Sequence, residues 1–164
     1  MIYVDGKELV GFDKDKTSYT VNLGLGVSIT PKITWKQGDN YQTVTFVDGG
    51  LDGTSQITVK SQSGTSTTIY RITFVVQKSS VSTLTDIKLN GISIDGFDPN
   101  VKDYVVNLPL GTTTVPTLTY TKGDDNQTVT VNNAANLSGT TRVTVTAQDG
   151  SYSIYTIKYS VQQS

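Results

Sequence analysis

The sequence predicts an all-β protein made of two tandem antiparallel β-sandwich domains, and three observations carry that expectation. Thr, Val, Ser, Ile, Tyr and Gly dominate the chain. Apolar and polar side chains alternate with a period of two, the pattern of strands that bury one face. The chain also writes one pattern twice: Gly11-Phe12-Asp13 with Tyr19-Thr20-Val21-Asn22-Leu23-Gly24-Leu25-Gly26 returns as Gly96-Phe97-Asp98 with Tyr104-Val105-Val106-Asn107-Leu108-Pro109-Leu110-Gly111. Phe97 follows Phe12, Tyr104 follows Tyr19 and Gly111 follows Gly26 at the same interval of 85 residues. Such a repeat divides the 164 residues into two domains, expected at 1–78 and 79–164.

In the first repeat the alternation and its turn punctuation place short strands at 2–4, 19–23, 32–36, 42–47, 56–61 and 69–76. The second repeat is clearer. Val143 and Val145 point one way and Thr144 and Thr146 the other; after Gln148-Asp149-Gly150, Tyr155, Ile157, Tyr159 and Val161 share a face. An Asp-Gly pair favours the positive φ of tight hairpin turns, so this is a hairpin with a buried side. Its counterpart runs through Ser63-Gly64 to Tyr70, Ile72, Phe74 and Val76. Six or seven strands at this spacing predict two sheets packed face to face. Between the repeats, 77–83 reads as a short polar linker, with Leu84 opening the first strand of the second domain.

Composition removes several function classes. The net charge is −1 with a pI near 5.2, and the 13 Lys and Arg are scattered, so no electrostatic footprint for nucleic acid is expected. Cys and His are both absent, which removes disulfides, thiolate metal sites and the commonest general base. No apolar run reaches the ~18 residues of a membrane-spanning helix, so no membrane insertion is expected. The first repeat starts abruptly at its first strand. The chain is therefore expected to be a piece of a longer protein whose signal peptide lies elsewhere.

Leu84-Thr85-Asp86-Ile87-Lys88-Leu89-Asn90-Gly91, Ile94-Asp95-Gly96-Phe97-Asp98-Pro99, Tyr104-Val105-Val106, Leu108-Pro109, Gly111-Thr112, Pro116, Val143 to Gly150 and Tyr155-Thr156-Ile157 together carry a resemblance. The pattern resembles the cadherin-like β-sandwich repeat of bacterial secreted and surface proteins, in two copies that cover essentially the whole chain. That resemblance implies an immunoglobulin-like fold and an accessory role beside glycoside hydrolase or adhesive domains. The first copy departs from it at Lys14, Gly24 and Ser63, where the second has Pro99, Pro109 and Asp149. All three are turn positions, so local rigidity is affected and not the fold.

The candidate chemical groups are few. Trp35 shares a face with Ile33, which predicts a core aromatic and not a sugar platform. Tyr19 and Tyr104 read as buried rings whose hydroxyls bond nearby backbone, and Phe12 and Phe97 as plugs at the end of each sandwich. The equivalent loops 37–41 and 122–126 hold Asp39 and Asp124-Asp125, far short of the 6–8 oxygens of a Ca²⁺ site, so no metal and no cofactor are expected. Asp13, Asp15, Asp95, Asp98 and Asp103 lie in turns and predict no catalytic carboxylate pair. Tyr41 and Tyr152 are the aromatics expected to be exposed, and so the candidates for ligand contact.

The expected function is that of non-catalytic spacer or presentation modules in an extracellular or cell-surface bacterial protein, present as a monomer. The expected partners are the flanking domains of the parent. The alternative is a carbohydrate- or surface-protein-binding module that uses the loop tyrosines. Function is expected where the copies differ, at Tyr41 against Asn126 and at 65–68 against 151–153.

Overall fold

The computed structural model describes residues 1–51 and 53–163. The protein is all-β, with no helix among the described residues and therefore none long and apolar enough to cross a membrane. Contacts divide it into two compact units, Met1–Gln77 and Lys78–Ser164.

The first unit contains β1 (Ile2–Val4), β2 (Lys7–Glu8), β3 (Ser18–Leu23), β4 (Ile33–Trp35), β5 (Thr43–Val47), β6 (Thr54–Lys60) and β7 (Thr67–Val76). They form a sheet of order β2-β1-β4 and a larger one of order β3-β7-β6-β5. The two sheets meet over one core, to which Ile2 and Ile33 contribute from the small sheet and Tyr19, Ile57, Ile72 and Phe74 from the large one. The second unit repeats the plan with β8 (Leu84–Leu89), β9 (Ile92–Ser93), β10 (Asp103–Leu108), β11 (Leu118–Lys122), β12 (Thr128–Asn132), β13 (Thr140–Thr146) and β14 (Tyr152–Val161). Its sheets run β11-β8-β9 and β10-β14-β13-β12, around Leu84, Ile87, Val143, Val145, Tyr155 and Ile157, all fully buried. The expected alternation is the cause, since these residues are the inward set of their strands.

Two features differ from the sequence expectation. The smaller sheets are purely antiparallel, as expected, but the larger ones are mixed: β3 pairs parallel with β7, Tyr19 opposite Ile72, and β10 pairs parallel with β14, Tyr104 opposite Ile157. A parallel pair needs a long connection, and the intervening strands of each unit supply it. Alternation reports which face is buried but not strand direction, so it could not show this. The short strands β2 and β9 were also not expected. Each closes a two-residue hairpin, Asp5-Gly6 between Val4 and Lys7 and Asn90-Gly91 between Leu89 and Ile92. All four turn residues have positive φ (47° and 76°, 49° and 83°), the conformation such a turn demands and Asp-Gly or Asn-Gly supplies.

One end of each sandwich is closed by the same device. Tyr19 Oη donates to the carbonyl of Asp13 at 2.7 Å and accepts from the Asp13 amide at 3.0 Å. Tyr104 does the same to Asp98, at 2.7 and 3.0 Å. Phe12 stacks on Tyr19 and Phe97 on Tyr104, with ring centroids 5.9 and 5.7 Å apart. The turn below is held by an Asx bond in both copies, Asp15 N to Asp13 Oδ1 and Asn100 N to Asp98 Oδ1, so Lys14 in place of Pro99 leaves its hydrogen bonds unchanged.

Tyr104→Phe removes a donor and an acceptor together and strands the Asp98 amide and carbonyl at a partly buried site. Urea denaturation should show a loss of about 1–3 kcal/mol, whereas Tyr152→Phe, on an exposed ring, should stay within about 0.5 kcal/mol.

Candidate functional site: a cleft in the first unit and its filled counterpart

A concavity lies in the first unit, where the small and large sheets part beside Met1. It encloses about 360 Å³ and is lined by Met1, Trp35, Gln42, Val44, Val59 and Tyr70, with Lys14, Gly38 and Thr68 at its rim. Trp35 is half-buried and packs against Phe46 at 5.7 Å between ring centroids. It is thus a core aromatic on its inner side and a cleft wall on its outer side. β4 and β5 are both edge strands, and Phe46 is 36% exposed, so nothing beyond them covers the Trp35–Phe46 pair completely. Tyr70 Oη donates to the carbonyl of Lys14 at 2.7 Å, and burial raises its pKa above the ordinary tyrosine value.

In the second unit a segment of chain occupies the corresponding place. Residues 79–83, which the sequence reads as part of the short polar linker 77–83, are bonded into this unit. Ser79 O accepts from the Asp149 amide at 3.0 Å, and Ser79 N donates to Gln148 Oε1 at 3.0 Å. Gln127 Nε2 donates to the carbonyls of Val81 and Thr83 at 2.6 and 2.9 Å. Ser82 Oγ meets Ser153 Oγ at 3.0 Å, and Leu84 N donates to Tyr155 Oη at 3.1 Å. Leu84 and Tyr155 are fully buried. The polar look of this stretch misled because its backbone and hydroxyls, not its side-chain apolarity, hold it in place. Leu84 is its buried apolar residue, Val81 being exposed, and it opens β8 as expected.

Tyr41 and Tyr152 are 70% and 67% exposed. Tyr41 follows an Asx turn in which its amide donates to Asp39 Oδ1 at 2.9 Å, and Tyr152 begins β14 opposite Thr146. Among the described residues neither ring packs against another aromatic ring. Among the described residues no three acidic, Cys or His side chains converge as a metal cage. The Asp124 carboxylate is engaged by the amide of Asn126 at 2.8 Å, and this bond, with the Ser79 hydroxyl, holds its pKa below the usual aspartate value. Ser151 Oγ and N do the same for Asp149. These carboxylates tie down turns.

No protein-family model matches the chain. Among curated proteins, a stretch of 83 residues is 39% identical to part of a gellan lyase from Bacillus sp., spanning 49% of this chain and 3% of that enzyme. A stretch of 89 residues is 35% identical to part of an exo-beta-1,6-galactobiohydrolase from Bifidobacterium longum subsp. longum, spanning 51% of this chain and 6% of that enzyme. The similarity therefore covers about half of this chain and a few per cent of the length of either carbohydrate-active relative.

Gln127→Ala removes the partner of two partly buried carbonyls and should cost about 1–3 kcal/mol, while Gln42→Ala, at the open cleft, should cost no more than about 0.5 kcal/mol; chemical denaturation of each variant checks both. Asp124 and Asp149 should titrate below ordinary aspartate in a carboxyl-detected NMR titration. Because their folded pKa values are depressed, their contribution to stability should be full above the unfolded value of ~3.9 and be lost as pH falls through the folded values.

Proposed function

We propose that the two units are non-catalytic accessory modules of the cadherin-like, immunoglobulin-like kind, which space and present other domains of a larger secreted or cell-surface bacterial protein. The observation that carries this reading is the length of the matches. Stretches of 83 and 89 residues, close to the 85-residue repeat interval, are shared with very small parts of two much larger carbohydrate-active enzymes. A segment that recurs at the size of one repeat inside unrelated activities behaves as a transferable module and not as either active centre.

The side-chain chemistry supports the same reading. His and Cys are missing from the sequence. Asp13, Asp98, Asp124 and Asp149 are occupied in bonds to neighbouring turn residues, so none is poised as a general acid or base. The partners of such modules are the flanking domains of the parent protein, and the chain itself is a monomer.

A second reading, a carbohydrate- or surface-protein-binding module, is favoured by the exposure of Tyr41 and Tyr152, since an amphipathic ring in polar surroundings suits weak glycan contact. Incubating the chain with gellan and with β-1,6-linked galactan oligosaccharides should release no product, and a glycan array should show no retention. Turnover would overturn the accessory reading. Retention lost in Tyr41→Ala or Tyr152→Ala would replace it with the binding-module reading.

A further inference from the structure

The two copies place equivalent residues around opposite situations. At an interval of 85 residues, Gln42 matches Gln127, Tyr70 matches Tyr155, Val44 matches Val129 and Thr68 matches Ser153. In the second unit these positions grip Val81–Leu84; in the first they line the 360 Å³ cleft. Among the described residues no protein group takes the Gln42 side-chain amide. Tyr70 Oη, already donating to Lys14, retains acceptor capacity like that through which Tyr155 Oη receives the Leu84 amide.

Gly38 and Gly123 supply an independent observation. A Cβ on Gly123 would lie 2.5 Å from the Thr83 carbonyl oxygen and 3.3 Å from Val81, so the close approach of the filling segment excludes any side chain there. A Cβ on Gly38 would meet nothing within 4 Å, and neither glycine has the positive φ that would demand glycine for backbone reasons. Within its own unit Gly38 has no structural reason to lack a side chain. It has one if a strand passes over it as Val81–Thr83 passes over Gly123.

We infer that the cleft of the first unit is a strand-acceptor groove, filled by an extended segment of Ser79–Thr85 chemistry that enters residue 1 from its N-terminal side, as Ser79–Thr85 enters Asp86. Register supports the direction of entry. The Met1 ammonium and carbonyl already bond Lys36 O and N at 3.1 and 2.9 Å, which puts Met1 opposite Lys36 as Asp86 stands opposite Thr121. Continued N-terminally, the same pairing carries the chain past Gly38 and Gln42. A leucine at the position of Leu84 would cover Val59 and Tyr70, while Gln42 Nε2 would bond two carbonyls ahead of it.

Trp35, the single tryptophan, lines this groove, so its fluorescence reports the first unit alone. The full chain carrying an N-terminal extension of sequence Lys-Ser-Ser-Val-Ser-Thr-Leu-Thr should change its Trp35 emission. The unfolding constant read at Trp35 in urea should fall about tenfold or more, the effect of burying one leucine. The same extension with Ser in place of Leu should lose that gain, and Gln42→Ala should weaken the extended chain but not the original one. Equal Trp35 transitions for the Leu and Ser extensions would overturn the inference. So would a free peptide of the same sequence that binds the groove while the fused extension has no effect, because that would assign the groove to a partner in trans.

Discussion

Each sandwich is held at one end by a single buried phenol that must donate and accept at once. Tyr19 and Tyr104 take both backbone groups of the Asp that follows Gly-Phe, and the Phe ring stacks on the same tyrosine. The constraint propagates because the tyrosine also sits in the parallel strand, opposite Ile72 or Ile157 at the centre of the large sheet. Turn, stack, edge pairing and core are therefore fixed by one residue per copy. In a module of some 80 residues, which buries only about 60–65% of its unfolded surface, few alternatives could compensate for its loss.

Beside this closure the copies part, around Tyr70 in the first and Tyr155 in the second. Closure there depends on backbone carbonyls held by Gln127, a leucine amide held by Tyr155, and a glycine that lets the two backbones approach. None of these is a large apolar contact except Leu84, which is why the stretch before β8 resembles a linker in composition while it packs as part of the fold. A module boundary drawn by polarity and one drawn by hydrogen bonds thus fall in different places. The first unit keeps the gripping residues around an open cleft, so the same groove geometry is present in filled and unfilled form within one chain.

Much of this was legible in the sequence for simple reasons. The interval between Tyr19 and Tyr104 revealed the repeat, and the alternation through Val143, Val145, Tyr155 and Ile157 identified the buried faces, because period-two burial is a direct property of strands. The roles of Tyr19 and Tyr104 were readable because a buried hydroxyl requires a partner. Strand direction was not readable: Ser18–Leu23 alternates identically whether it pairs parallel or antiparallel. The strands Lys7–Glu8 and Ile92–Ser93 were missed although Asp5-Gly6 and Asn90-Gly91 announce their hairpins, since two exposed residues carry no hydrophobic pattern. The cleft was invisible to any local pattern. It emerges from comparing Gly38 with Gly123 and Gln42 with Gln127 once the structure shows what the second member of each pair touches.

The segment before β8 completes the second module, and the corresponding groove of the first stands open. Amide hydrogen exchange measures this most directly, because local opening is reported residue by residue. Exchange should be faster at Lys36, Val44 and Val59 than at their counterparts Thr121, Val129 and Val145, with the remaining core strands of the two units protected alike. Equal protection at the two sets of residues would contradict it.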